Sequence, residues 1–376
     1  MKMMPIYFDN STTTKPYPEV VEKITEMLTD NFGDPSALHS YGLRAKEILE
    51  SSRQTIADAL GANAEEIYFT SGGTESNNLA ILGFTGERVP RRIITSSVEH
   101  PSVYKPLRHL SHRGWTVDYI SIKDGKLDMA QAQELITAGT ILASVMLVNN
   151  ETGTILPVNE IKQIIEKKAP ASVLHCDATQ GFGKIPFTVN GLGADLVSLS
   201  AHKIHGPKGV GALYIRKGTN LKRRVLGGEQ EKDIRSGTEA LPLIAGFAEA
   251  VRITMLDQEK NALYMNELKA YALERIAQVF PDALINSTLD GAPHIVNFSL
   301  PGISNLNAAG YLSDNGICIS TSSVVKSCPS KGPSIMNFGL SAEMADSTLR
   351  VGFSGENTKE EVDTMIACLD QYRAKY

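Results

Sequence analysis

A chain of 376 residues is long enough for two domains, or for one large domain with a satellite. It is 42% hydrophobic and 21% charged, ordinary values for a globular protein with a sizeable core. The formal net charge of -5 argues against non-specific attraction to nucleic acid or to an anionic membrane, and the short run Lys222, Arg223, Arg224 reads as a solvated helix end or loop.

In chain order, Ile67-Tyr68-Phe69-Thr70 reads as a strand ending in Ser71-Gly72-Gly73-Thr74, with a helical pattern from Glu75 to Leu82. Further strand-like runs are Arg92 to Thr95, Thr116 to Ile120, Leu142 to Val148, Val173 to Cys176, Leu196 to Leu199 and Gly211 to Ile215. Helical patterns such as Ile161 to Lys168 lie between them. Short, nearly all-apolar strands separated by helices predict an α/β domain with a mainly parallel sheet of seven strands, covered on both faces. A long helical stretch follows from about 245 to 279, then Ile295 to Leu300, a helical Asn305 to Ser313, and Gly316 to Ser320. That change of pattern predicts a second, smaller α+β domain near the C-terminus. The expected division is 15–255 for the large domain, and 1–14 with 256–376 for the small one.

No stretch approaches the roughly 18 apolar residues of a membrane span. Met1 to Asn10 lacks the apolar core of a secretion signal. Cys176, Cys318, Cys328 and Cys368 lie far apart, which suits reduced thiols in a cytoplasm better than a disulfide framework. No C-x-x-C pair or His/Cys cluster suggests a metal site.

In an open parallel sheet, ligands bind outside the carboxyl ends of the strands. Five such ends here carry polar or small residues: Ser71-Gly72-Gly73-Thr74, Glu99-His100, Asn149-Asn150-Glu151, Asp177-Ala178-Thr179-Gln180 and Ser200-Ala201-His202-Lys203. Four of them have a plain reading beside the functional one. Gly72-Gly73-Thr74 opening a helix suits a phosphate, or is a simple capped turn. Asp177 after an apolar run needs a cationic or donor partner: a protonated pyridine nitrogen, or a structural ion pair. Lys203 beside a desolvated cavity can lose its proton and attack an aldehyde, although most lysines are solvated surface residues. His100 can stack on a flat ring or shuttle a proton, or is structural.

The motifs together resemble the cysteine desulfurases, the NifS/IscS-like group in the class V branch of fold-type I enzymes dependent on pyridoxal 5'-phosphate. The resemblance runs nearly end to end. It rests on Tyr7-Phe8-Asp9-Asn10-Ser11-Thr12-Thr13-Thr14, Asn31-Phe32-Gly33-Asp34-Pro35-Ser36, and Phe69-Thr70-Ser71-Gly72-Gly73-Thr74-Glu75-Ser76-Asn77-Asn78. It continues through Val148-Asn149-Asn150-Glu151-Thr152-Gly153, His175-Cys176-Asp177-Ala178-Thr179-Gln180, Ala201-His202-Lys203-Ile204-His205-Gly206-Pro207-Lys208-Gly209 and Arg235-Ser236-Gly237-Thr238-Glu239.

The resemblance implies a Schiff base on Lys203. Asp177 would meet the pyridine nitrogen, Gln180 the ring hydroxyl and His100 the ring face. Gly73, Thr74, Ser200 and His202 would bind the phosphate, with Thr238 reaching it from a second subunit of a homodimer. Asn150 would face cofactor and substrate, and Arg350 would clamp the substrate carboxylate, for which its bidentate fork is suited. The implied reaction takes L-cysteine to alanine: freed Lys203 accepts the α-proton, and an enzyme thiolate takes the sulfur as a persulfide. A sulfur-acceptor or iron–sulfur scaffold protein is the implied partner.

The thiol-bearing loop departs from the family pattern. It reads Ile319-Ser320-Thr321-Ser322-Ser323-Val324-Val325-Lys326-Ser327-Cys328-Pro329-Ser330-Lys331-Gly332-Pro333-Ser334. Counted from the strand side, the family's cysteine falls on Val325. Counted back from Pro333-Ser334, Cys328 is two residues closer than the pattern has it. Cys328 is the expected nucleophile, with Lys326 placed to lower its pKa; the other reading is a loop cysteine without a role. Cys318 and Cys368 read as core packing, and Cys176 as facing away from Asp177 across its strand. A C–S lyase, a selenocysteine lyase, a transaminase or a weakly active scaffold subunit would not need the loop thiol.

Overall fold

The computed structural model describes residues 5–86, 88–321, 326–328 and 332–375, without the side chains of 326–328 and 332–334. Seven strands form the central sheet: β1 (Ile67–Thr70), β2 (Arg92–Ser96), β3 (Thr116–Ile120), β4 (Thr140–Ser144), β5 (Val173–Asp177), β6 (Leu196–Ser200) and β7 (Gly211–Ile215). Their order is β1-β7-β6-β5-β4-β2-β3. The run from β6 to β3 is parallel, and β7 is antiparallel to both β6 and β1. The sheet is therefore mixed, mainly parallel as expected.

The strands β4, β6 and β7 are buried at every position. This is why their sequences are continuous apolar runs: both faces are covered, so no alternation is needed. The core cluster on this sheet takes in residues from Val20 to Ala292. A second cluster draws Phe8 together with residues from Met265 to Tyr372. It packs on a four-stranded antiparallel sheet of Leu284–Ile285, Ile295–Ser299, Thr348–Gly352 and Ser320–Thr321, in that order. The N-terminal strand Ile6–Tyr7 joins this region by pairing with Ile317–Cys318.

Four local readings change. The run expected from Leu142 to Val148 leaves the regular ladder after Ser144, though Val145 and Leu147 still donate to the His175 and Asp177 carbonyls. Apolar character alone does not distinguish a strand from the buried segment that extends it. The helix expected from Glu75 starts at Gly73 and passes at Leu79–Gly83 into a π-helical turn. The stretch 245–279 is two helices, Leu241–Leu256 and Gln258–Val279, parted at Asp257. Cys318 is only partly buried, because its strand pairs with Tyr7 at the rim while neighbouring Ile317 fills the core. Cys368 is buried in the second cluster, and Cys176 is wholly buried beneath the central sheet. Among the described residues no helix is long and apolar enough to cross a membrane.

Candidate active site

A cavity of about 690 Å³ opens at the carboxyl ends of the sheet strands. Its wall includes Gly73, Thr74, His100, Asn150, Asp177, Gln180, Ser200, His202, Lys203 and Arg350. Lys203 follows the end of β6 on a short helical turn, Ala201–Lys203. Gly206 closes that turn: a Cβ there would stand 2.8 Å from the Ala201 carbonyl oxygen. The lysine Nζ donates to the carbonyls of Ser11 (2.8 Å) and Thr12 (2.6 Å), which come from the N-terminal segment. Burial lowers its pKa to about 8, with help from Arg350 and against the pull of Asp9 and Asp177.

Asp177 ends β5 and is 5% exposed. Its Oδ1 accepts from the Thr179 backbone (3.0 Å) and its Oδ2 from Asn77 Nδ2 (2.7 Å). Two donors hold the carboxylate at the cavity wall and offset the cost of burying it. Gln180 is fixed too: Nε2 donates to the Ser11 carbonyl (2.8 Å), and Oε1 meets His294 Nε2 (3.1 Å). His100 caps the helix Pro101–Ser111, where Pro101 fits the first turn because its missing N–H would have no helical partner there. The ring is open to the cavity, and desolvation by its surroundings lowers its pKa. Just behind it, Glu99 is fully buried and its pKa is pushed up to about 8 by desolvation; Oε1 accepts from Ser96 Oγ (2.5 Å) and Met146 N (2.9 Å).

The glycine turn makes a cradle. Gly72 has φ 146, a conformation open to glycine, and a Cβ on Gly73 would come 2.9 Å from Thr179 Oγ1 and 3.6 Å from Ser200 Cβ. The oxygens Thr179 Oγ1 and Ser11 Oγ, both from wall residues, are buried with no hydrogen-bond partner among the described residues. His202 touches Thr13 Oγ1 at 3.2 Å, and burial lowers its pKa to about 4.

Arg350 reaches the cavity from the antiparallel sheet. Nη1 donates to the Asn150 carbonyl (2.7 Å) and lies 3.5 Å from Glu151, while Nη2 donates to Thr12 Oγ1 (2.8 Å) and Ser320 Oγ (3.1 Å). The guanidinium is thus held by both regions of the fold, and its planar fork has the geometry that suits a carboxylate.

Of the expected residues whose side chains are described, Thr238 does not join this wall. Thr238 is exposed and stands apart from the cavity lining. Cys328 has its backbone in the strand Lys326–Cys328, beside the helix Pro101–Ser111, and its side chain lies outside the described residues. Val325, where the family cysteine aligns, is outside them altogether. Sequence reasoning assigned no role to Asn77, Ser102, Ser11 or Thr12. Asn77 was legible as the residue four places after Gly73, hence on its face of the helix. Ser102 was legible as the second helical position after a capping residue. The two carbonyls under Lys203 carry no side-chain signal.

The chain matches the family described as aminotransferase class-V over residues 6–365. It is 38% identical to cysteine desulfurase IscS 1 of Archaeoglobus fulgidus, over 96% of this chain and 95% of that protein. It is 36% identical to cysteine desulfurase IscS of Dictyoglomus turgidum, over 97% and 94%. A solved structure described as a NifS-like protein superposes with a TM-score of 0.94 at 33% identity, over 99% of this chain and 100% of that one. The chain therefore belongs to the aminotransferase class-V family, and within it to the NifS- and IscS-like cysteine desulfurase group.

Proposed function

We propose that this protein is a pyridoxal-phosphate-dependent cysteine desulfurase, converting L-cysteine to L-alanine and transferring the sulfur to an enzyme cysteine as a persulfide. One observation carries the reading: a single cavity gathers a partly buried lysine with a pKa of about 8, a carboxylate fixed at a strand end, an imidazole, a glycine cradle and a buried arginine. The relatives' names support the desulfurase over a lyase, a selenocysteine lyase, a transaminase or a scaffold subunit.

The residues fit the cofactor. The Gly73 cradle and the unpartnered Thr179 hydroxyl suit a phosphate, which Gly73, Thr74, Ser200 and His202 would hold, with Thr238 of a second subunit. Asp177 would face the pyridine nitrogen, Gln180 the ring hydroxyl, His100 the ring, and Lys203 the aldehyde. When bound, the group supplies an electron sink next to the substrate α-carbon. Arg350 and Asn150 would orient the substrate carboxylate. Lys203, neutral in a good fraction of molecules near pH 8, would accept the α-proton. The Cys328 thiolate would attack the substrate sulfur; the new S–S bond forms as the C–S bond breaks, its electron pair staying with the carbon.

The two hydrophobic clusters support reading 15–255 as the large unit and 1–14 with 256–376 as the small one. The four cysteines lie far apart in the sequence, the ground for reading a reducing compartment such as the cytoplasm. A homodimer and a sulfur-acceptor or iron–sulfur scaffold partner complete the reading. Borohydride reduction of the cofactor-loaded protein tests it: the reading requires a pyridoxyl group on Lys203, and a label on any other lysine contradicts it.

A further inference from the structure

His100 lies at one end of a buried chain of hydrogen bonds whose directions can be assigned. A carboxylate only accepts, so the Asn77 atom 2.7 Å from Asp177 Oδ2 is Nδ2, not Oδ1. The same nitrogen's second N–H points to Ser102 Oγ at 2.8 Å. The serine oxygen thus accepts from Asn77, and its own hydrogen goes to His100 Nδ1, 2.7 Å away. The backbone N–H of Ser102 also donates to Nδ1, at 3.2 Å. Two donors on Nδ1 leave no room for a proton there. The price is visible: Asn77 Oδ1 is buried with no partner among the described residues. Asn77 is 1% and Ser102 8% exposed, so water does not loosen the chain.

We propose that Asn77 and Ser102 are positioning residues that lock His100 in the tautomer carrying its proton on Nε2. In its neutral state the imidazole then serves the cavity as a donor and not as a base. The lock ties the residue over the cofactor ring to Asp177, the residue facing the ring nitrogen. It also resists protonation at Nδ1. The charges around His100 are Asp177 and Glu151, which favour the cation, and Lys203 and Lys105, which oppose it. The proposal rests on the desulfurase reading for its meaning, though the tautomer itself does not depend on a cofactor.

The test is heteronuclear NMR of the imidazole nitrogens across a pH series. It uses histidine-labelled protein with and without pyridoxal phosphate, the His100 signal being identified by His100→Gln. The proposal predicts the Nε2–H form in both states. In Ser102→Ala the His100 pKa should rise by about one unit, the equivalent of one lost hydrogen bond. In Asn77→Ala it should rise by less, because the serine hydroxyl stays but is no longer oriented. An Nδ1–H tautomer in the wild-type chain, or an unchanged pKa in Ser102→Ala, overturns it. Should a variant misfold, the wild-type spectrum decides alone. Failure to bind pyridoxal phosphate would sink the desulfurase reading, while the spectrum of the free chain would still judge the lock.

Discussion

A lysine is useful here only when neutral, and at Lys203 the surroundings decide how often that is. Burial and Arg350 depress its pKa to about 8, well below the ordinary lysine value. The sign is clear: neutral amine grows as pH rises and saturates above that value. Uptake of pyridoxal phosphate by the cofactor-free protein should therefore accelerate about tenfold per pH unit below pH 8 and level off above it. Stopped-flow absorbance would show this, and a rise continuing to pH 10 would mean that Lys203 is ordinarily solvated. Most wall residues were legible from the chain because Lys203, Asp177, His100 and Gly73 each lie at or just past a strand end or open a helix. The loop thiol was not: Cys328 stands in a stretch whose length differs from its family, and spacing cannot say where such a side chain falls. Nor could residue type foretell the Ser11 and Thr12 carbonyls, since every residue carries one.

Between the elements, the turn at Glu231–Asp233 has an unusual backbone. Glu231, Lys232 and Asp233 are consecutive non-glycine residues with φ of 48, 55 and 63. Left-handed geometry costs each roughly 1–2 kcal/mol, so something must hold it. Arg53 does: Nη1 and Nη2 make a forked pair with Glu231 at 2.8 and 2.9 Å, and Glu231 also accepts from the Phe69 backbone of β1 at 2.7 Å. Both side chains are nearly inaccessible, at 5% and 1%. Arg53→Met leaves a buried carboxylate without its cation and should cost about 3–5 kcal/mol in chemical denaturation. A loss below about 1 kcal/mol would show that the pair does not hold the turn. The central strands were legible because burial on both faces writes an apolar run. The break at Asp257 was not, since Leu256 and Gln258 on either side are good helix formers.

At the scale of the molecule, the site joins two sheets. Lys203 and Asp177 come from the large, mainly parallel sheet, and Arg350 from the small antiparallel one. The proposed reading gives Thr238, which is exposed, to the site of a second copy. If sites are shared, mixing a Lys203→Ala chain with a Thr238→Asp chain should restore activity by forming one intact site per mixed dimer, read as alanine production against each variant alone. No recovery on mixing would place Thr238 outside the site. The family was plain from end-to-end motifs, while the sulfur-bearing step hangs on one altered loop. The most direct measurement is mass spectrometry of the wild-type protein after brief treatment with L-cysteine, with released alanine counted in the same sample. The account predicts a persulfide on the peptide containing Cys328, matched by alanine. A persulfide on Cys318 instead, or alanine formed undiminished in Cys328→Ala, would contradict it.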